Sequence, residues 1–229
     1  MAHPAAASPI QIHCQAILFD LDGILVSSLG TVERTWTRWA LQRGIDPAYT
    51  LNLAHGRRAI EVIATLRPDL DTEAELRRIE DLEIADDEDL SVLPGVLDLL
   101  NALPAGRWTV VTSATERLAR ARLATGGVPA PQSLVTADHV SRGKPHPEPF
   151  LAGAELLGFA PQQCVVFEDS ASGAKAGREA GCTVIATTFS HSVESLDAAH
   201  YLVPDLTGIS AQTTPDGLTL TLTSIIDQE

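Results

Sequence analysis

Two aspartates stand close together at the end of an apolar run, in the stretch QAILFDLDGILVSS at residues 15–28. As neighbouring anions, Asp20 and Asp22 repel each other unless a cation lies close to both. Carboxylates in this arrangement can attack phosphorus as nucleophiles or exchange a proton with a reacting oxygen. A D-x-D sequence alone is also typical of a turn or a helix cap. The interpretation therefore depends on what the rest of the chain places beside them.

Further polar residues follow the ends of later predicted strands. Ser113 ends the run WTVVTS, Glu168 and Asp169 end CVVFED, and Lys144 lies in a loop before a predicted helix. Ligands of parallel sheets bind at the carboxyl ends of the strands, so we expect these groups to converge at one rim with the two aspartates. Taken singly, Ser113 and Asp169 are typical helix caps, and Lys144 is a typical solvated surface residue.

The chemistry that this set of residues supports is metal-assisted phosphoryl transfer. The acids offer only oxygen ligands, which favours a hard ion such as Mg2+. Lys144 and Ser113 would bind a phosphate group beside the ion. Asp20 would attack phosphorus, and Asp22 would protonate the leaving oxygen and then activate water. Gly23 would let the chain turn sharply behind the pair.

The order of predicted strands and helices that must position these residues indicates an α/β fold. From residue 93 onward, β-rich runs alternate with helical segments, which predicts a Rossmann-like, doubly wound parallel sheet. Residues 28–92 show only helical spacing, so we expect a small all-helical cap domain inserted into a core of residues 1–27 and 93–229. The segment up to His13 is interpreted as a flexible lead-in. The late run LTLTLT is interpreted as an edge strand or a frayed tail.

The composition narrows the choice of partners. A formal net charge of −14 over 229 residues argues against nucleic-acid or membrane-surface binding, because either needs a basic patch. No run approaches the roughly 18 apolar residues of a membrane helix, and no secretion signal is recognisable at the N-terminus. Cys14, Cys164 and Cys182 show no paired spacing, as is typical of reduced thiols. We therefore expect a cytoplasmic monomer that acts on a small molecule.

Four motifs resemble those of the haloacid dehalogenase superfamily of phosphotransferases. They are FDLDGIL, VVTSAT, GKPHPEPF and VFEDSASG, in that order, and the resemblance covers roughly residues 15–207. The subgroup is the one with a helical cap after the first strand, which contains β-phosphoglucomutase and the sugar-phosphate and glycerol-phosphate phosphatases. The resemblance implies a Mg2+-dependent phosphatase for small sugar or polyol phosphates, working through an aspartyl-phosphate intermediate.

The resemblance also implies a role for each matching residue. Asp20 is expected to be the nucleophile and Asp22 the general acid and base, while Ser113 and Lys144 bind the phosphoryl group. The expected metal site comprises Asp20, Asp22 through its main-chain carbonyl, Asp169 and the nearby Glu168.

Two positions depart from the usual pattern of the family. Ile24 stands where the family has Thr, and Ser27 stands where it often has Asp. Both departures are expected to affect efficiency more than reaction class.

Substrate choice is expected to depend on the cap, because lids of this kind close over the site and exclude water. The stretch AHGRRAIEV at residues 54–62 carries His55, Arg57 and Arg58, which we expect to contact substrate hydroxyls or the distal end of the substrate. A solvated helix N-terminus with ordinary surface arginines is an equally good interpretation of the same stretch.

Other functions compete with the phosphatase, and a catalytically inactive binding protein stays open among them, although every expected chemical group is present. A phosphomutase with the same core stays open, and it would need a second phosphate-binding group in the cap. A receiver-type signalling domain carries similar acids and a Lys, but it spans fewer residues and has no helical insert after its first strand. Dehalogenase activity does not fit, because that branch lacks a carboxylate at the position of Asp22.

Overall fold

A five-stranded parallel sheet forms the centre of the molecule, which the computed structural model describes over residues 9–226. The strands β5 (Trp108–Val110), β2 (Ala16–Phe19), β6 (Cys164–Glu168), β7 (Thr183–Thr187) and β8 (Tyr201–Val203) lie side by side in that order, and every neighbouring pair is parallel. The α/β prediction is confirmed. In chain order the strands are β1 (Ile10–Cys14), β2 (Ala16–Phe19), β3 (Val26–Ser27), β4 (Ser91–Val92), β5 (Trp108–Val110), β6 (Cys164–Glu168), β7 (Thr183–Thr187), β8 (Tyr201–Val203), β9 (Ile209–Thr214) and β10 (Gly217–Leu222).

Helices cover both faces of the main sheet. Ile17 and Phe19 of β2 belong to one apolar cluster and Ala16 and Leu18 to another, because successive side chains of a strand point to opposite faces. Helices α5 and α6 pack into the first cluster and α7 and α8 into the second, as a doubly wound sheet requires. The helices are α1 (Leu29–Gln42), α2 (Pro47–Ala54), α3 (Ala59–Leu66), α4 (Thr72–Ala85), α5 (Val96–Asn101), α6 (Glu116–Thr125), α7 (Glu148–Leu157) and α8 (Ala171–Glu179), with 3-10 turns at Ala137–His139, Pro161–Gln163 and Val193–Leu196. Within residues 9–226, none of these helices has the length and apolar character needed to span a membrane.

Helices α1 to α4 pack around an apolar cluster of their own. Trp36 and Trp39 meet edge to face at 5.6 Å between ring centroids, and Ile63 and Ile79 complete the centre of the cluster. The chain leaves and re-enters the core through β3 and β4, which pair antiparallel over two residues each. The expectation that residues 28–92 contain no strand is wrong at β4, because the two ends of the insert meet there. We propose that residues 28–92 form a cap domain, and the separate cluster supports this.

The two ends of the described chain meet in a second sheet, which is antiparallel and has the order β1-β10-β9. The interpretation of a flexible lead-in is wrong for residues 10–13, since they pair with β10, whereas residues 1–8 lie outside the described residues. LTLTLT is neither an edge strand nor a frayed tail, because β10 is the central strand. Its alternate residues Leu218, Leu220 and Leu222 are buried in the main apolar cluster, which holds the small sheet against the core.

Candidate active site

The ammonium group of Lys144 lies between two carboxylates at the carboxyl end of the main sheet. Its Nζ donates to Asp20 Oδ1 at 2.6 Å and to Glu168 Oε1 at 2.7 Å, where β2 and β6 end. A third bond reaches the carbonyl oxygen of Val111 at 3.1 Å. The Lys144 side chain is 1% exposed, so it is not a solvated surface residue. Burial lowers the pKa of Lys144, but Asp20 and Glu168 outweigh this and raise it above its ordinary value.

The carboxylate of Glu168 is saturated with hydrogen bonds. Its Oε2 accepts from the backbone N–H groups of Asp169 and Ser170, both at 2.8 Å, and from Ser170 Oγ at 2.9 Å, while Oε1 accepts from Lys144. Helix α8 approaches so closely that a Cβ on Gly173 would lie 1.6 Å from Oε1. Ser170, rather than Asp169, caps α8. Glu168 therefore fixes Lys144 and the start of α8.

Asp20, Glu168 and Asp169 are all buried, and carboxylate oxygens of the three lie within 4.8 Å of one another. Burial, partly offset by Lys144, raises the pKa of Asp20 to about 7, and burial together with Glu168 raises the pKa of Asp169 well above its ordinary value. Gly23, at φ +78°, passes so close that a Cβ there would lie 1.8 Å from Asp169 Oδ2. Three acids against one ammonium leave an excess of buried negative charge, and their oxygen-only donor set fits Mg2+.

The carboxylate of Asp22 meets a different set of donors. Its Oδ1 accepts from the hydroxyl of Ser28 at 2.7 Å, and its Oδ2 accepts from Nη1 of Arg122 at 2.6 Å. The Asp22 side chain is 29% exposed and lines the same pocket as Asp20. Its carboxylate lies outside the three-acid cluster, and both of its oxygens already accept hydrogen bonds. Metal binding by its main-chain carbonyl stays a prediction.

Arg122 and Glu83 are site residues that the sequence analysis missed. Nη2 of Arg122 donates to Glu83 Oε2 at 2.9 Å, and the two side chains are 6% and 4% exposed. Burial raises the pKa of Glu83 to about 6, although Arg122 acts in the opposite direction. One signal was available, because Arg122 occupies the buried stripe of α6 together with Leu118, Ala119 and Leu123. A charged residue on the apolar stripe of a helix needs a buried partner.

The hydroxyl of Ser113 joins the core to the loop before α3. Its Oγ donates to the carbonyl oxygen of Gly56 at 2.9 Å. A Cβ on Gly56, at φ +69°, would lie 2.5 Å from the hydroxyl oxygens of Ser170 and Ser172, so glycine is what lets this loop lie against the start of α8. Thr115, rather than Ser113, caps α6. Ser113 is therefore placed at the mouth of the pocket and is not occupied with capping a helix.

The three polar residues expected to contact substrate take different positions. His55 lines the pocket, with its Nδ1 2.7 Å from the carbonyl oxygen of Leu51. Arg57 also lines the pocket and is exposed, and its guanidinium has no hydrogen-bond partner within residues 9–226. Arg58 instead donates to the carbonyl oxygen of Val140 at 2.6 Å and to two neighbouring carbonyls. Arg58 thus ties the loop to the core, and Arg57 is the arginine able to reach a ligand.

One pocket brings the core acids and the helical segment together. Lys144 and Glu168 lie behind its wall, and apolar contacts come from Val32, Trp36 and Leu118. A ligand held there touches both the rim of the sheet and the four-helix segment. The charged and hydroxyl side chains that line it include Asp20, Asp22, Ser28, His55, Arg57, Glu83, Ser113, Arg122 and Asp169.

Residues 14–181 match the family model of the haloacid dehalogenase-like hydrolases. The chain belongs to this family. It is 41% identical over 211 residues to hexitol phosphatase A of Escherichia coli (strain K12), covering 90% of this chain and 98% of the relative. It is 34% identical over 195 residues to glycerol-1-phosphate phosphohydrolase 2 of Saccharomyces cerevisiae, covering 79% and 78% of the two chains. This haloacid dehalogenase-like hydrolase is an enzyme, a hydrolase of phosphoric monoesters.

The solved structures show a likeness of fold. A β-phosphoglucomutase structure from Clostridium difficile superposes with a TM-score of 0.74 at 20% identity, covering 84% of this chain and 92% of that one. A structure of CbbY from Rhodobacter sphaeroides in complex with phosphate gives a TM-score of 0.73 at 24% identity, covering 84% and 95%. At these identities the comparison supports the fold of the hydrolase and leaves substrate choice to the site itself.

The two departures from the family pattern lie at the turn after the paired aspartates. Ile24 is 1% exposed and packs into the main apolar cluster, away from the charged groups. Ser27 is half-buried in β3, opposite Ser91 of β4, where the hydrolase chain passes between the sheet and the helical segment. Neither side chain takes part in the bonds that hold Asp20, Asp22 or Lys144.

The buried acids predict how the stability of the metal-free hydrolase changes with pH. Because the folded-state pKa of Asp20, about 7, lies above the ordinary value of 3.8, the folded protein loses stability as the pH rises between these values. Asp20→Asn removes this charge. With a chelator present at pH 8, we expect its free energy of unfolding to exceed that of the wild type by at least about 1 kcal/mol, and the difference to shrink toward pH 5.

Urea unfolding followed across this pH range is the measurement. Glu155→Gln, which removes an exposed acid on α7, is the control and should follow the wild type at every pH. If Asp20→Asn were less stable than the wild type at pH 8, the cluster would not carry the excess charge described here.

Proposed function

We propose that this hydrolase is a Mg2+-dependent phosphatase that acts on small sugar or polyol phosphates through an aspartyl-phosphate formed on Asp20. The observation that carries the proposal is the buried contact of Asp20 with Lys144 at 2.6 Å, beside Asp169 at the rim of the sheet. A carboxylate held by an ammonium group is fixed in position for attack. The same ammonium favours its ionised, nucleophilic form.

The reaction would proceed in two halves on the residues of this chain. In the first, a carboxylate oxygen of Asp20 attacks phosphorus as the bond from phosphorus to the ester oxygen breaks. That ester oxygen takes the proton from the Asp22 carboxylic acid and leaves as an alcohol. In the second, Asp22 takes a proton from water, whose oxygen attacks phosphorus. The bond from phosphorus to Asp20 then breaks, phosphate leaves, and both acids return to their starting state.

The transferring group would be bound by donors that converge on the same rim. Ser113 Oγ would supply a hydroxyl in exchange for its bond to the Gly56 carbonyl, and Lys144 Nζ would supply positive charge from behind Asp20, where Glu168 holds it in place. Asp20 and Asp169 would hold Mg2+, with the main-chain carbonyl of Asp22 as the third ligand that the family resemblance implies. The ion would supply positive charge to the phosphoryl oxygens and relieve the repulsion between the acids.

The substrate class follows from the relatives and from the chemistry of the pocket. Similarity to a hexitol phosphatase and to a glycerol-1-phosphate phosphohydrolase supports a small hydroxyl-rich ester. The pocket wall offers His55, Arg57 and Glu83, which suit hydroxyl groups. We propose Arg57 as the contact to the distal end of the substrate, and we assign Arg58 to holding the loop. We propose a cytoplasmic location, which the three buried free cysteines support, and a monomeric state.

A panel of phosphate esters assayed for release of inorganic phosphate tests this function. We expect hydrolysis of glycerol, hexitol and hexose phosphates with Mg2+ present, and none once the metal is chelated. Asp20→Asn should lower kcat by at least about 1,000-fold, because no other group replaces the nucleophile. Glu155→Gln serves as the control and should keep wild-type activity.

Two results would contradict the proposal. Activity that survives chelation or Asp20→Asn would exclude the mechanism. Interconversion of hexose phosphates without release of phosphate would instead identify a phosphomutase, for which Arg57 is the available second phosphate-binding group.

The two arginines of the loop make a matched pair for testing substrate contact. Arg57→Ala removes a charged donor that faces the pocket, so KM for a hexitol phosphate should rise about tenfold with kcat nearly unchanged. Arg58→Ala removes the bonds to the 137–141 loop, so it should lower thermal stability as well as activity. Unchanged KM in Arg57→Ala would remove Arg57 from the substrate site.

A further inference from the structure

We infer that Arg122 is a positioning residue that fixes the carboxylate of Asp22 and links it, through Glu83, to helix α4. This inference rests on the proposed role of Asp22 in proton transfer. It adds Arg122 and Glu83 to the site, and neither residue belongs to any of the four sequence motifs.

The bonds of Arg122 carry the inference. Nη1 lies 2.6 Å from Asp22 Oδ2 and Nη2 lies 2.9 Å from Glu83 Oε2, and the Arg122 side chain is 6% exposed. Its Nε is buried and has no hydrogen-bond partner within the described part of the chain. Burying a guanidinium group in this position costs free energy of desolvation, and an apolar side chain would fill the buried face of α6 equally well. Its two short contacts therefore indicate a role beyond packing.

The second oxygen of Asp22 is fixed as well. Ser28 donates to Oδ1 at 2.7 Å, so each carboxylate oxygen of Asp22 has one donor with a defined direction. Ser28 immediately precedes α1, and Arg122 is held by Glu83 of α4, so both donors to Asp22 depend on where the helical segment lies. Arg122 itself belongs to α6 of the core. The rotamer of Asp22 is thus set jointly by the core and by the segment that closes the pocket.

The positioning of Asp22 can be measured by comparing substrates whose leaving oxygens differ in basicity. An alkoxide is a strong base and needs the proton of Asp22 as it departs, whereas p-nitrophenolate is a weak base and leaves without help. Loss of positioning should therefore lower kcat/KM selectively for esters with poor leaving groups. kcat/KM reports the first half of the reaction alone, up to departure of the alcohol, so the later attack by water does not obscure it.

Arg122→Met is the test variant, and Arg117→Met is its matched control. Arg117 also lies on α6 and also pairs with α4, at Glu80 and Asp81, but it does not touch Asp22. In Arg122→Met we expect kcat/KM to fall about 100-fold on a hexitol phosphate and less than about threefold on p-nitrophenyl phosphate. Arg117→Met should change both by less than about threefold, and Arg122→Lys should recover part of the loss on the hexitol ester.

Two outcomes overturn the inference. Equal losses on both esters in Arg122→Met would mean a general structural role, and equal behaviour of Arg117→Met would mean that only docking of α4 matters. If Arg122→Met does not fold by circular dichroism, the same ratio in Arg122→Lys decides. Should the wild type fail on hexitol phosphate, the proposed function fails separately. The ratio is then measured with phenyl and p-nitrophenyl phosphates, whose leaving groups also differ in basicity.

Discussion

Three buried carboxylates share one ammonium group at the carboxyl end of the main sheet, and this unequal sharing governs the rest of the site. Lys144 binds Asp20 and Glu168 directly, while Asp169 lies beside them and has no salt-bridge partner among residues 9–226. The raised pKa of Asp20 follows from the same shortage of positive charge. A divalent ion would supply what is lacking and would be placed to bind the oxygens of a phosphate ester. The proposed nucleophile, phosphate-binding group and metal site all rest on this one electrostatic constraint.

The helical segment contacts the residues of the candidate active site at two separate points. Through its loop, the carbonyl of Gly56 accepts from the hydroxyl of Ser113, and Arg58 binds the carbonyls near Val140. Through α4, Glu83 binds Arg122, which in turn binds Asp22. The position of the loop against the core and the position of the Asp22 carboxylate thus both depend on bonds to the helical segment. In the proposed mechanism, this arrangement would couple exclusion of water to proton transfer.

Local patterns were sufficient to predict the sheet and the groups at its rim. Asp20, Ser113 and Glu168 each end a buried run, and parallel strands bring such ends together whatever lies between them. The β1–β10 pairing was missed because it joins residues almost the whole chain apart, although the sequence TPDG at residues 214–217 marks the tight turn of the β9–β10 hairpin. Arg122 and Glu83 were missed for a similar reason, since their residue types suggest solvated helix faces. Only the tertiary structure shows that Arg122 and Glu83 are buried partners of each other. The bonds of Arg58 to loop carbonyls likewise could not be predicted from the sequence.

The most direct test of the shared-charge account is calorimetric titration of the metal-free protein with Mg2+ in buffers of different ionisation enthalpy. If Asp20 is half protonated near pH 7, binding of the ion must expel protons. The account predicts release of about half a proton or more per Mg2+ at pH 7, rising at lower pH and disappearing in Asp20→Asn with Asp169→Asn. Binding without proton release, or no binding by the wild type, would contradict it.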